Sequence, residues 1–176
     1  MNPWNSFGYY DKNWGRDFSS PYFHLSSSNF TSEISGRLLD ASVFAVQGEY
    51  KNKVSVLVSI EGKNIEFHAN KLKKKQISFD CQEMNGTEDE GLKLHWSVSV
   101  HDRRYVIDID IFCNTNDMSL RDFESPAGGR KVMRILASGS GTGKFKLYKK
   151  MKKNLELLEQ AEILKCICEY GNLETA

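Results

Sequence analysis

A histidine and two aspartates on one predicted β-hairpin have the types and spacing needed for acid–base chemistry. Residues 92–113 alternate apolar and polar side chains on both sides of a polar break, which predicts two strands joined by a four-residue turn at residues 101–104. This register places His95 opposite Asp110, with Asp108 one step along the same face. An imidazole supported by a carboxylate can donate or accept a proton near neutral pH, so these three residues are candidate catalytic groups.

The two faces of this hairpin decide how the candidate acids are interpreted. If their face lines the interior of a barrel, they are placed for catalysis. If it meets water, they form an ordinary surface pair, and the rarity of buried charge favours this second interpretation. The opposite face is apolar and predicts a core wall made of Leu92, Leu94, Trp96, Val98, Val100, Tyr105, Ile107, Ile109 and Ile111. Trp96 and Tyr105 are the aromatic members of this wall and would line a ligand site there.

The rest of the chain predicts the strands that must complete a sheet around this hairpin. A lone hairpin is marginal in water, and the sequence contains about nine strand-like segments separated by turns at regular intervals. We therefore predict an all-β protein, an antiparallel β-barrel or strongly bent sandwich with minor helix, in which residues 92–113 lie near the centre. The length suits one domain spanning residues 1–176, with the aromatic-rich residues 1–20 as an N-terminal arm that closes one end or lines a ligand.

Three segments outside the clearest strands carry specific expectations. Residues 114–130 are rich in Asn, Asp, Gly and Ser and predict a long loop. Residues 138–143 alternate glycine with Ser or Thr and predict a hairpin turn. A phosphate-binding loop is disfavoured there because Lys144 is followed by Phe145 rather than by Ser or Thr. Residues 155–161 suit either two turns of helix or a ragged strand.

Charge and hydropathy limit the classes of partner. The 24 Lys and Arg residues nearly cancel the 23 Asp and Glu residues, so no global field attracts nucleic acid or an anionic membrane. Lysine clusters at residues 71–75 and 149–153 are expected to be solvated strand ends. No apolar run approaches the ~20 residues that span a bilayer, and the first residues lack a signal-peptide pattern. We therefore expect a cytoplasmic protein without a membrane span.

The cysteine and histidine spacing predicts neither a metal site nor a cofactor site. Zinc sites use Cys and His pairs at short fixed spacings, and no such pair is present. In the compartment expected above, a disulfide framework is the less favoured alternative. We expect reduced, partly buried thiols at Cys81, Cys113, Cys166 and Cys168.

A short aromatic motif near the start of the chain resembles that of a known family. Residues 10–15, Tyr-Asp-Lys-Asn-Trp-Gly, followed by Phe18, are similar to the opening of the second half of tocopherol cyclase-like proteins. The likeness continues in the order of strands, in residues 120–126 as a linker, in residues 144–149 as a strand after a glycine turn, and in residues 169–171. Members of that family resemble two lipocalin-like β-barrel halves around an apolar pocket, and its plant and cyanobacterial enzymes close the chromanol ring of vitamin E. The resemblance implies that this chain is one lipocalin-like half.

The resemblance also implies roles for the residues of the motif. Asp11 would be a further acid candidate, and the neighbouring residues Tyr10, Lys12, Asn13 and Trp14 would contact a ligand. In such an enzyme an acid protonates an alkene and aromatic walls stabilise the developing cation.

Three functions remain open on these grounds. The first is binding of an apolar small molecule, such as an isoprenoid, a prenylated quinone or a similar lipid, inside the barrel. The second is a tocopherol cyclase-like cyclase or isomerase. The third is a structural or interaction protein without a small ligand. A chain that is half of a two-barrel architecture also predicts a homodimer, or a partner that supplies the missing half.

Overall fold

The computed structural model describes residues 22–49, 53–68, 77–86, 91–124 and 132–173. These residues form ten strands: β1 (Tyr22–Ser32), β2 (Val43–Glu49), β3 (Lys53–Ile60), β4 (Lys63–His68), β5 (Ile77–Asn85), β6 (Leu92–His101), β7 (Tyr105–Asn114), β8 (Ser119–Glu124), β9 (Val132–Lys150) and β10 (Leu155–Leu173). A single turn of 3-10 helix spans Thr115–Asp117. The predicted arm at residues 1–20 lies outside the described residues.

All strand pairs are antiparallel, and the sheet curls into a half-barrel, which confirms the predicted all-β fold class. The strand order is β4-β3-β2-β1-β10-β9-β7-β6-β5, with β8 paired to β9. The predicted hairpin is β6–β7, but it lies towards the β5 edge rather than near the centre. The middle of the sheet is formed instead by β10, because this long strand pairs with β1 on one side and β9 on the other.

The register of the β6–β7 hairpin differs by two residues from the predicted one. His95 pairs with Phe112, and Asp110 pairs with Ser97. The cause is a tighter turn: one carboxylate oxygen of Asp102 accepts hydrogen bonds from the backbone N–H groups of Arg104 and Tyr105, each at 2.6 Å. A shift of two residues leaves every side chain on its predicted face, because strands alternate with period two.

The apolar face of the hairpin is the wall of the core, as predicted. Except for the exposed Leu92 at its end and the half-buried Tyr105, every predicted wall residue is buried. The other strands supply the facing side chains, led by Phe23, Phe30, Phe44 and Phe145. Phe30 makes edge contacts with Phe44 and Phe145, with ring centroids 5.8 and 5.5 Å apart.

The predicted glycine-rich turn at residues 138–143 is wrong, because β9 runs through it without interruption. The first half of β9 pairs with β8 and its second half pairs with β7, so the glycines lie where the strand changes partner. A Cβ on Gly143 would overlap the backbone carbonyl of Asp110, and one on Gly141 would overlap the thiol of Cys168. Glycine is therefore needed here for close approach of backbone and side chains rather than for a reversal.

Strand also replaces a predicted loop and settles one segment that the sequence left open. Residues 155–161 open β10, paired with the end of β9, so the helical alternative is wrong. The prediction of a long loop over residues 114–130 is wrong for Ser119–Glu124, which form β8 and pair with the first half of β9. None of the described residues belongs to a helix long and apolar enough to cross a bilayer.

Candidate functional site

His95 and Asp110 contact each other on the outer face of the hairpin. Although they are not directly opposite in register, His95 Nε2 lies 3.0 Å from Asp110 Oδ1. The imidazole also stacks on Phe112, with ring centroids 4.2 Å apart and ring planes 2° from parallel. The His95 side chain is 22% exposed and that of Asp110 is 47% exposed. This face meets solvent, so the geometry is that of a surface pair.

Asp108 lies on the same outer face and is held by a different partner. The hydroxyl of Ser99 donates a 2.6 Å hydrogen bond to one carboxylate oxygen of Asp108. In the register of β7 and β9, Asp108 pairs with Lys146 and Asp110 pairs with Lys144. Each of these aspartates of β7 therefore has a lysine of β9 opposite it in register, which is typical of a solvated sheet face.

Trp96 lies on the inner face, with Cys81 of β5 and Ile111 of β7 beside it in register. Its side chain is 0% exposed. The indole N–H is buried and has no hydrogen-bond acceptor among the described residues. An indole can only donate, and a buried donor left without an acceptor costs about 1–3 kcal/mol. This N–H is a polar group on a mainly apolar inner face that a bound molecule could use.

Tyr105 shares the inner face with Trp96 but not the same place on it. It begins β7, whereas Trp96 is opposite Ile111, six residues further along the strand. At ~3.4 Å per residue the two aromatic residues are about 20 Å apart along the sheet. They do not form one site. Neither do Trp96 and His95, since consecutive residues of a strand point to opposite faces.

Buried thiols form a group that the sequence spacing does not reveal. All four cysteines are free. The thiols of Cys113 on β7 and Cys168 on β10 interact electrostatically, even though β9 lies between their strands. Each thiol donates its own hydrogen bond to a backbone carbonyl, Cys113 to Asn114 and Cys168 to Cys166, both at 3.6 Å. The sequence does indicate that both cysteines lie on the inward faces of their strands. It does not indicate which strands become neighbours, so it does not predict that the two thiols meet.

The thiols of Cys81, Cys113 and Cys168 have raised pKa values. The neighbouring thiol of Cys168, followed by burial, raises the pKa of Cys113. The neighbouring thiol of Cys113 lowers the pKa of Cys168, but the contact of Cys168 with Cys166 and its burial outweigh this and raise the pKa overall. Burial, followed by nearby carboxylates, raises the pKa of Cys81 to about 12. The thiolate is the reactive form, so these thiols are protonated and unreactive near neutral pH.

A second group of buried polar residues lies on the outer face of β1. His24 Nε2 lies 3.1 Å from Ser26 Oγ, and both side chains are buried. Close by, the hydroxyl of Tyr22 donates a 3.0 Å hydrogen bond to Glu169, and Tyr22 packs against Ile135 in a small second apolar cluster. The sequence predicted this strand but not the burial of its polar face.

The predicted ligand contacts Tyr10, Lys12, Asn13 and Trp14, and the predicted acid Asp11, lie outside the described residues. Within the described part of the chain, no group of three or more His, Cys, Asp or Glu side chains is arranged to hold a metal ion.

Fold and site together define a class: an all-β protein whose antiparallel sheet curls into a half-barrel around an apolar core, with a buried indole donor inside. Comparison of the chain with protein-family models, with curated proteins and with solved structures found no match. The resemblance to tocopherol cyclase-like proteins therefore stays a prediction, and so does the homodimer or the partner that supplies a second half.

Proposed function

We propose that this protein binds an apolar small molecule that carries an acceptor oxygen, on the concave side of the half-barrel beside Trp96. The observation that supports the proposal is the buried indole N–H without an acceptor among the described residues. Isoprenoid alcohols and prenylated quinones have the required chemistry, since each combines an apolar chain with a hydroxyl or carbonyl oxygen. The apolar chain would add favourable burial of about 25 cal/mol for each Å² removed from water.

The inner face matches such a ligand in polarity. The neighbours of Trp96 on its own strand are the buried apolar residues Leu94 and Val98, and Ile109 lies opposite Val98 on β7. Ligand sites of this kind are mostly apolar with a small number of polar groups that fix orientation. The indole N–H would be such an orienting group, and the ligand oxygen would relieve the cost of its burial.

The test compares two probes with the same ten-carbon tail. Decylubiquinone carries carbonyl oxygens and decylbenzene carries none, and both are titrated calorimetrically into the wild type and into Trp96→Phe. We expect the wild type to bind the quinone roughly 5- to 10-fold more tightly, since one hydrogen bond contributes about 1 kcal/mol. Trp96→Phe keeps an aromatic ring but loses the donor, so this preference should disappear.

Ile109→Val is the matched control, because it trims the same buried face without touching a donor. It should keep the preference for the quinone even if both affinities fall. Absence of binding of either probe to the wild type would overturn the proposal, and so would equal binding of the two probes. A thermal melt of each variant shows whether a lost preference reflects a lost fold.

Two alternative functions remain predictions and rank below ligand binding. They are a cyclase and an interaction protein without a small ligand. The acid candidates His95, Asp108 and Asp110 lie on the outer face, opposite to Trp96, so they do not support proton transfer to a molecule bound inside. Asp11 lies outside the described residues. A cytoplasmic location is part of the proposal and is supported by the four free thiols, because disulfides are rare in reducing compartments.

A further inference from the structure

Two hairpin turns lie side by side at one end of the sheet and concentrate positive charge there. Arg103 and Arg104 form the β6–β7 turn, and the β9–β10 turn follows Lys150, whose backbone N–H donates a 2.7 Å hydrogen bond to the carbonyl of Arg104. Tyr105 pairs with Lys149 in the same register. We call this end the basic lobe; its cationic residues are Arg103, Arg104, Lys149, Lys150, Lys152 and Lys153.

The charge of the basic lobe is large compared with that of the chain. Residues 101–105 and 149–156 contain six Lys or Arg and two acidic residues, which gives 6 − 2 = +4, whereas the whole chain has a formal net charge of +1. None of the six cationic side chains forms an ion pair with a described residue. Of the two acidic residues, Asp102 already accepts the two backbone hydrogen bonds that hold its turn.

Apolar side chains project from the same lobe. Met151 is 47% exposed and Leu155 is 51% exposed, and they flank Lys152 and Lys153 in the β9–β10 turn. Leu157, one step further along the outer face, is also exposed. Unpaired cations around exposed apolar tips combine the two features that draw a surface into the headgroup region of a bilayer.

We propose that the basic lobe docks on an anionic membrane surface, with Lys and Arg side chains against lipid phosphate and carboxylate groups and with Met151 and Leu155 inserted between headgroups. Nucleic acid carries the same phosphate charge, but it has no apolar region in which exposed aliphatic side chains could be buried. Proteins that bind single strands often use aromatic side chains, on which the bases stack. The exposed Met151 and Leu155 therefore favour the bilayer. This inference stands on the two turns alone and does not depend on the ligand proposed above.

The test is flotation of the protein with ligand-free vesicles of phosphatidylcholine, with and without about 30% phosphatidylserine. The wild type is expected to float with the anionic vesicles at about 0.15 M NaCl and to be released from them at about 0.5 M NaCl. It should not bind the neutral vesicles. Lys152→Gln/Lys153→Gln should weaken the partitioning about 30-fold, which corresponds to about 1 kcal/mol for each cation removed.

The control variant is Lys63→Gln/Lys165→Gln, which removes the same charge from exposed positions on β4 and β10 outside the lobe. It should change partitioning less than about twofold. Equal loss in this control would show a net-charge effect and overturn the proposal.

A second variant, Met151→Ser/Leu155→Ser, tests the apolar contribution. It keeps the charge and should still lose vesicle binding several-fold at about 0.15 M salt, because burial of each apolar side chain contributes to the partitioning. Unchanged vesicle binding of this variant would show that Met151 and Leu155 do not insert between the headgroups. Binding of the wild type to a single-stranded RNA but not to anionic vesicles would overturn the membrane assignment. Since the vesicles carry no quinone, either result is independent of decylubiquinone binding.

Discussion

The phenyl rings of Phe23 on β1 and Phe79 on β5 stack with centroids 3.9 Å apart and planes 18° from parallel. Four strands separate β1 from β5 in the sheet, so a flat sheet would hold them about 24 Å apart at ~4.8 Å per strand. The contact is therefore a direct consequence of the curl, and it joins the β5 edge of the sheet to β1, an interior strand.

We predict that the stacking of Phe23 on Phe79 stabilises the curled sheet, so that the effects of mutating the two residues are not additive. In a double-mutant cycle of Phe23→Leu and Phe79→Leu, the coupling free energy should be about 0.5–1.5 kcal/mol, as for other aromatic pairs. Urea unfolding gives the four stabilities. The cycle of Phe23→Leu with Phe112→Leu is the control, because Phe112 lies on the outer face, and its effects should be additive within about 0.5 kcal/mol. Additivity in the Phe23–Phe79 cycle would contradict the contact.

Gly143 and Gly139 should differ sharply in their tolerance of alanine. A Cβ on Gly143 meets the carbonyl of Asp110, so Gly143→Ala must push β9 away from β7 and should cost about 3 kcal/mol, at the upper end of typical overpacking penalties. A Cβ on Gly139 meets nothing within 4 Å, so Gly139→Ala should change the free energy of unfolding by less than about 0.5 kcal/mol. Similar stabilities of the two variants would restore the hairpin-turn interpretation of this segment.

The Cys81 thiol should make the protein less stable in alkali. Its pKa is raised to about 12 in the folded state by burial first, and it ionises near ~8.5 when unfolded. The folded state therefore keeps a proton that the unfolded state loses, so the contribution is full below pH ~8.5 and is lost as the pH rises towards 12. Each such thiol contributes at most about 1.4 kcal/mol per pH unit in this window, and less for a partly exposed one.

Unfolding in urea at several values between pH 8 and 10.5, under reducing conditions, measures this loss. Cys81→Ala should lose stability less steeply than the wild type, because one titrating thiol is absent. Ser78→Ala, at an exposed position of the same strand, is the control and should follow the wild-type slope. Parallel curves for Cys81→Ala and the wild type would show that the thiol ionises normally in the folded protein.

The contact between His95 and Asp110 should contribute little to stability. Exposed pairs of this kind give coupling free energies of about 0.2–1 kcal/mol, and salt reduces them. A double-mutant cycle of His95→Ala and Asp110→Ala at pH 6, with and without 1 M NaCl, gives the value. Coupling of several kcal/mol that resists salt would instead indicate a desolvated pair and would return these residues to consideration as an acid–base site.

Period-two alternation was enough to predict most of the β6–β7 hairpin and its faces. The apolar set from Leu94 to Ile111 was assigned to the core because strand side chains alternate between faces whatever the register. The all-β class followed from the number and spacing of such segments. The same argument kept His95 and Asp110 on one face, so their contact survived an error in register.

The register itself was decided by Asp102, whose hydrogen bonds to the next residues make the turn tighter than the alternation alone suggests. The sequence of β9 predicts a turn in place of a continuous strand for a related reason. A run of Gly and Ser has the same composition in a turn as in a strand that must pass close to other atoms, and only the positions of Asp110 and Cys168 distinguish the two.

The sequence by itself determined most of the strands, their inward faces and the all-β class, because these depend on residues close together in the chain. The tertiary structure alone decided the strand order, the curl that brings Phe23 onto Phe79, the isolation of the Trp96 N–H and the meeting of the two basic turns. Each of these features depends on the relative positions of residues that are far apart in the chain. Local alternation is the same for every order of strands, so it carries no information about which of them become neighbours.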